Sequence, residues 1–296
     1  MKLSLSRDFA LRQSEAQSFL QDLRNGCTYH LQDDQAEFVR LLDGTKTLEE
    51  MKIEYDDDSQ EVIKHFSEHI QTLGAIATEG VRSFAEPVPD CRLEAVHFEP
   101  SGVCNMRCVH CYKGTHVKNK NALPMSMVVN LLEQMVKLQV SRISVSGGEP
   151  LMFPHLESLL KEIGERGIYI SALFSNGLAI SSQFVETLKS LRYKTPLYIS
   201  LDSLPGESLL FRGFNKKTAE NVLRKIVENI RLVVRAGFRV TVNTVVNTEN
   251  VNILEKMHDL MGDIWVFNWR LGFPKMTPNF REHPQFAVEW ILIAKR

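Results

Sequence analysis

FEPSGVCNMRCVHCY, residues 98–112, places three of the chain's five cysteines, Cys104, Cys108 and Cys111, at C-x3-C-x2-C spacing directly after a short strand-like run. Three thiolates leave one corner of a cubane iron–sulfur cluster without a protein ligand, whereas proteins that only carry electrons normally supply four. An open iron is a place where a small molecule can be chelated and reduced, so the spacing points to a catalytic cluster. A zinc knuckle using the same cysteines with His110 is the alternative, because thiolate and imidazole both suit zinc. Spacing favours the cluster, and the rest of the chain has to decide.

The 296 residues suffice for a large domain and a small one. A net charge of −1 gives no global basic field to recruit nucleic acid or anionic lipid. No window approaches the roughly 18 apolar residues that span a bilayer, and MKLSLSRDFALRQ at the start lacks an apolar core or cleavage site for secretion. The expectation is a cytoplasmic protein with no membrane or nucleic-acid partner. Five cysteines, three of them clustered, make no disulfide framework.

In the first 80 residues, Asp8–Arg12, Gln17–Leu23 and Cys27–Gln32 read as strands, the last after the turn signal Asn25-Gly26. Helical patterns follow at Asp34–Leu42, closed by Asp43-Gly44, at Thr47–Glu54, opened by a Thr47/Glu50 capping box, and at Ser59–Leu73. Three strands and then three helices is a winged-helix arrangement. DNA binding is disfavoured, since the third helix carries Glu61 and Glu68 against Lys64 and follows Asp56-Asp57-Asp58. YHLQDDQAEFVRLLDGTKTLEEM with VIKHFSEHIQTLGAI resembles the peptide-recognition element of ribosomally made peptide pathways, similar to the pyrroloquinoline-quinone peptide chaperone. The resemblance implies that an unfolded leader adds as a strand beside Cys27–Gln32, with Lys64, His65, Glu68 and Thr72 walling the groove. A packing or dimerisation module is the other reading of this segment. Cys27 reads as a buried small hydrophobe. Residues 81–93 read as a linker, with Cys91 an incidental thiol.

From Glu94, strand runs at Glu94–Glu99, Arg142–Ser146, Ile168–Phe174, Pro196–Asp202, Arg239–Val246 and Ile264–Leu271 alternate with helical patterns at Ser126–Leu138, His155–Arg166, Ser182–Leu191, Thr218–Ala236 and Val251–Met261. The fold class is therefore α/β, a partial (β/α)6 barrel over residues 94–275 behind the N-terminal winged-helix domain. Chemistry in such folds collects after the strands, and the unusual residues do fall there. They are the cysteines, Ser146-Gly147-Gly148-Glu149-Pro150, Ser175-Asn176-Gly177, Ser200-Leu201-Asp202-Ser203, Asn243 and Asn247, and Asn268-Trp269-Arg270. A zinc knuckle has no need of this company.

CNMRCVHCY with Gly147-Gly148-Glu149-Pro150 closely resembles the radical S-adenosylmethionine enzymes over residues 94–271. The resemblance implies a [4Fe-4S] cluster on Cys104, Cys108 and Cys111, with S-adenosylmethionine on the fourth iron. One-electron reduction from an external donor such as flavodoxin or ferredoxin then yields a 5′-deoxyadenosyl radical that abstracts a substrate hydrogen. Gly147 and Gly148 leave room for backbone to approach the methionine amino group, with Glu149 beside them. Ser200 and Asp202 resemble ribose contacts, and Arg212 resembles an arginine that pairs with the carboxylate. Ser175 and Asn176 face cosubstrate or peptide, His110 and Tyr112 flank the adenine, and Val245 lines the adenine side. Trp269 and Arg270 end the last strand as further contacts, whereas Lys216-Lys217 reads as a solvated face.

Together these readings describe a peptide maturase that holds a precursor's leader and forms a thioether, C–C or C–O crosslink in its core. Tethering raises the effective concentration of the core. An epimerase is the less favoured variant, because no barrel cysteine is spare to donate hydrogen. A radical enzyme acting on a small molecule and an iron–sulfur redox sensor are the rivals. Nothing after Cys111 is a cysteine, whereas many peptide-modifying relatives carry SPASM or twitch extensions with auxiliary clusters. Residues 276–296 read as the start of such an extension, cut short inside an uncapped helix at Phe286–Arg296.

Overall fold

In the computed structural model, residues 1–88, 93–114 and 121–288 are described. They pack as two units, Met1–Val96 with Val129–Ile143 and Glu162–Tyr169, and His97–Val128 with Ser144–Lys161 and Ile170–Arg296.

The first unit holds β1 (Lys2–Leu5), β2 (Phe9–Gln13), β3 (Ser18–Asp22), β4 (Thr28–Leu31), α1 (Asp33–Leu41), β5 (Asp43–Thr47), α2 (Leu48–Lys52), α3 (Asp57–Thr72) and β6 (Ile76–Ala77). The expected hairpins form an antiparallel sheet of order β2-β3-β4. The capping box is present: Thr47 N donates to Glu50 Oε2 at 2.8 Å and Glu50 N to Thr47 Oγ1 at 3.3 Å. On α3, Ile63 and Ile70 turn inward seven residues apart and join Phe9, Leu20, Phe38, Val39, Leu42 and Met51 in one core.

A second small sheet of order β5-β1-β6 goes beyond the winged-helix expectation. Asp43-Gly44 does not end in a turn: Leu42 caps α1, and Asp43–Thr47 pairs with β1 through Ser4↔Asp43 and Lys2↔Thr47. Cys27 is also corrected. It is exposed, because it leaves the Asn25-Gly26 turn at the hairpin's end, where its N–H donates to Asn25 Oδ1 at 2.8 Å. The presumed linker is tied down as far as Val88, which bridges to Ser14 and donates to Gln13 O at 3.2 Å. Cys91 lies outside the described residues.

The alternating segment folds as expected into β7 (Ala95–Phe98), α4 (Met125–Lys137), β8 (Arg142–Val145), α5 (Leu156–Glu165), β9 (Tyr169–Ser175), α6 (Ser182–Ser190), β10 (Leu197–Ser200), α7 (Lys216–Arg235), β11 (Val240–Val245), α8 (Leu254–Asp263) and β12 (Asn268–Gly272). Strand order equals chain order, and β9, β10, β11 and β12 pair in parallel, so each helix is a crossover between neighbours. On α7, Ala219, Leu223, Ile226, Ile230 and Val233 recur three or four residues apart and are buried, while Asn215 caps the first turn from Thr218 N at 3.1 Å. Beyond β12, α9 (Pro278–Arg281) and a turn at Pro284–Phe286 bring Phe280 and Phe286 onto Phe211. The helix read from Phe286 does not start there, since Ala287 is extended; residues 289–296 lie outside the described residues. No helix among the described residues is long and apolar enough to cross a membrane.

Candidate active site

A cavity of about 610 Å³ opens where β7, β8, β9 and β10 end. Cys104, Cys108, Cys111, His110, Tyr112, Gly147, Gly148, Glu149, Ser175, Asn176, Ser200 and Arg212 line it, as do His97, Glu99, Phe174 and Lys275, which sequence reading passed over. Asp202 and Val245 are not on its wall.

The two glycines are explained by the cysteine loop itself. A Cβ on Gly147, at φ +131°, would lie 2.4 Å from Ser101 O, and one on Gly148 would lie 2.2 Å from Val103 O. Gly148 N donates to Ser101 O at 2.9 Å and Glu149 N to Val103 O at 2.8 Å, so the end of β8 is bonded to the arm that leads into Cys104. The missing side chains make room for this backbone approach.

Glu149 is buried and accepts from Ser175 Oγ at 2.8 Å, Asn176 N at 2.7 Å and Leu151 N at 3.2 Å. Burial pushes its carboxyl above the usual range, against the pull of those hydrogen bonds. The carboxylate thus locks the end of β9 to the end of β8. Asn176 continues the chain of contacts by donating to Asn105 Oδ1 at 2.7 Å, inside the cysteine loop. Asn229, a buried polar residue on α7, holds the next turn by donating to Gly177 O at 2.8 Å.

Asp202 and Arg212 meet each other. Arg212 Nε donates to Asp202 Oδ2 at 2.6 Å, and Asp202 Oδ1 accepts from Val245 N at 2.7 Å. Both oxygens of Asp202 thereby accept a hydrogen bond from within the protein. Val245 supplies that N–H and packs with Phe211, Phe280 and Phe286, so it supports the site from behind. His110 stacks on Phe211, with ring centroids 4.1 Å apart and planes at 11°. Val109 N donates to Phe211 O at 3.1 Å, and Asn279 Nδ2 donates to Val109 O at 2.6 Å. Trp269 is half-buried and donates to Thr244 Oγ1 at 2.9 Å, while the Arg270 guanidinium lies 6.0 Å from the Tyr198 ring. Lys216 and Lys217 are exposed at the start of α7.

At the end of β7, Glu99 pairs with Lys113 at 2.6 Å and accepts from the Tyr112 hydroxyl. Burial works against ionisation, but Lys113 and Tyr112 outweigh it and hold the Glu99 carboxyl below its usual range.

The donor set distinguishes the two metal readings. Among the described residues no three His, Cys, Asp or Glu groups converge on a single-ion position, and the His110 ring lies flat on Phe211. Three thiols spread around one cavity wall suit a multi-iron cluster. Burial pushes the Cys104 and Cys108 thiols up, Cys108 to about 11, and the positive charge of a bound metal favours their thiolates.

Comparison with known proteins agrees. Residues 98–261 match the family described as the Radical SAM superfamily. Protein YfkA of Bacillus subtilis (strain 168) is 31% identical over 183 residues, covering 57% of this chain and 48% of that protein. The S-adenosylmethionine-dependent nucleotide dehydratase of Flammeovirga pacifica is 25% identical over 186 residues, covering 60% and 62%. Streptococcus suis SuiB, solved with its precursor peptide SuiA, aligns with a TM-score of 0.69 at 16% identity, covering 97% of this chain and 66% of SuiB. The chain thus spans less than two thirds of each of these relatives, and at that identity the likeness to SuiB establishes the fold. The family match runs over more than half of the sequence and takes in both strand-end motifs. The chain therefore belongs to the radical S-adenosylmethionine superfamily of enzymes, whose cofactors are a [4Fe-4S] cluster and S-adenosylmethionine.

Proposed function

We propose that this chain is a maturase that binds the leader of a ribosomally made precursor peptide and crosslinks its core. The observation that carries the reading is the open edge of β4. Asp22 N donates to Cys27 O at 2.8 Å, so by antiparallel alternation Cys27, Tyr29 and Leu31 direct their main chain toward β3. Thr28 and His30 direct theirs outward, and β4 ends its sheet among the described residues. A leader strand can add there, with the exposed Lys64, His65, Glu68 and Thr72 of α3 as its groove wall. Support also comes from the overlay on SuiB, which extends across 97% of the chain, the first 80 residues included.

Cys104, Cys108 and Cys111 would hold the [4Fe-4S] cluster, which would supply the one-electron reduction that turns S-adenosylmethionine into a hydrogen-abstracting radical and methionine. The chain's own residues orient the cosubstrate: Arg212 receives its carboxylate, the Gly147–Glu149 backbone its amino group, Ser200 its ribose, and His110 and Tyr112 its adenine. The electron comes from an external donor such as a flavodoxin or ferredoxin.

The matching nucleotide dehydratase favours a second reading, a radical enzyme acting on a nucleotide. The test uses any short peptide found encoded beside this protein's gene. With reduced holoenzyme, the peptide should lose two hydrogens per crosslink by mass, one carried off in the 5′-deoxyadenosine formed in step and the other leaving as a proton whose electron passes to the external electron carrier. His30→Pro removes an outward N–H and should weaken leader binding at least tenfold, while peptide-independent formation of 5′-deoxyadenosine is unchanged. Turnover with nucleotide and none with peptide sinks the maturase reading; no 5′-deoxyadenosine under any condition sinks the enzyme.

A further inference from the structure

We propose that Arg212 donates a charge-assisted hydrogen bond to the cluster ligand Cys108 and thereby raises the reduction potential of the cluster. Its Nη1 lies 3.9 Å from Cys108 Sγ while its Nε is held 2.6 Å from Asp202 Oδ2. The two side chains are only 8% and 1% exposed. Asp202 is itself fixed from a second side by Val245 N and through its carbonyl by Asn250 Nδ2 at 2.9 Å. The guanidinium therefore bridges an immobile carboxylate and a cluster thiol.

The three cysteines are not treated alike. Among the described residues Cys104 receives neutral donors, Met106 N at 3.4 Å and Asn176 Nδ2 at 4.0 Å. Cys108 receives the cation. Hydrogen bonds to ligand sulfur and net charge beside the cluster are principal determinants of its potential. A cation in a poorly solvated position stabilises the extra negative charge gained on reduction more than it stabilises the oxidised state. Arginine suits the task because its planar fork reaches two acceptors at once in fixed geometry, which a lysine ammonium on a flexible stem does not. The inference rests on the cluster at Cys104, Cys108 and Cys111 and is independent of which substrate the enzyme uses.

The test is an EPR-monitored potentiometric titration of the anaerobically reconstituted full chain. Arg212→Gln should reduce the ratio of reduced to oxidised cluster about tenfold at fixed potential, a midpoint lower by about 59 mV for one electron. Arg212→Lys should shift it less, in the same direction. A fully loaded Arg212→Gln protein, by iron and sulfide analysis, with the wild-type midpoint overturns the proposal. Wild-type protein labelled with 15N-arginine decides the case without a variant: pulsed EPR of the reduced cluster should show a nitrogen coupling that changes with the label. Absence of that coupling overturns the proposal, and a wild type that takes up no cluster overturns the cluster site along with it. A correct coupling without peptide turnover touches only the proposed substrate.

Discussion

Replacing Gly148 by alanine isolates the role of the glycine pair, because at this position the issue is space alone. Its φ lies outside the left-handed region, so alanine brings no backbone strain there. The added Cβ would lie 2.2 Å from Val103 O and 2.5 Å from Gly102 O. Real carbons keep about 3 Å or more from a carbonyl oxygen, so a gap of roughly 1 Å must open between two backbone segments. Both segments are short and tied by the hydrogen bonds from Gly148 N and Glu149 N to residues 101 and 103. Overpacking of this kind costs about 1–3 kcal/mol, and weakening the two bonds adds about 1–2 kcal/mol. For a chain of this length a loss of ~2–5 kcal/mol lowers Tm by ~3–8 °C. The arm that moves leads into Cys104, so iron and sulfide content after reconstitution should fall as well. Gly164→Ala is the control: it lies on α5 with nothing within 4 Å of its added Cβ, and should gain about 0.5–1 kcal/mol. A Gly148→Ala protein that melts with wild type and takes up a full cluster refutes the packing explanation of the motif.

Three further expectations follow from packing, capping and charge. Phe280→Ala should cost about 3–5 kcal/mol by thermal melt, since Phe280 is 1% exposed against Phe211; it should also lower cluster uptake, because Phe211 O and Asn279 hold Val109. Thr47→Ala removes the cap of α2 and should cost about 1 kcal/mol in denaturant titration. Burial works against the ionised Asp22 carboxylate, but its bonds from Arg24 and Asn25 outweigh this and hold its carboxyl below the ordinary 3.8. Its stabilisation is therefore present above that value and lost as pH falls through the lowered one. Asp22→Asn should be less stable than wild type at pH 7, and the two melting curves should converge as pH falls below 3.8 and through the lowered value.

The barrel was legible because its signals are local and periodic: apolar strand runs, helical stripes such as Leu223, Ile226, Ile230 and Val233, and a capping box at Thr47 and Glu50. The cysteines and the glycine motif were legible because chemistry fixes their spacing. What escaped depends on partners far apart in sequence. Asp43–Thr47 carries turn residues and weak strand formers, and becomes a strand only because Ser4 and Lys2 lie opposite it. Asp202 follows the end of β10, and the loop that returns Arg212 to it is invisible to periodicity, so the pairing of these two side chains was not foreseen. Asn279 and Phe280 follow the last strand and fold back onto the cysteine loop, for which no local pattern gives notice. Asn229 falls on the buried side of α7, where a polar residue in an apolar stripe was the one signal available.

These long-range partners share a task. The cysteine loop is tied by the β8 end through Ser101 and Val103, by β9 through Asn176 to Asn105, by the segment before α7 through Phe211 O to Val109, and by α9 through Asn279. A loop without strand pairing of its own does not hold three thiols in fixed relation, because each extra free dihedral spreads their positions. Four ties from four different parts of the fold over-determine it, and each tie also fixes a residue that borders the cavity or packs behind one. Glu149, Asn176 and Arg212 therefore line the cavity and hold its framework at the same time. Losing any of them displaces both the thiols and the wall facing them, and losses at two such positions should combine non-additively, as expected for contacts within one connected network.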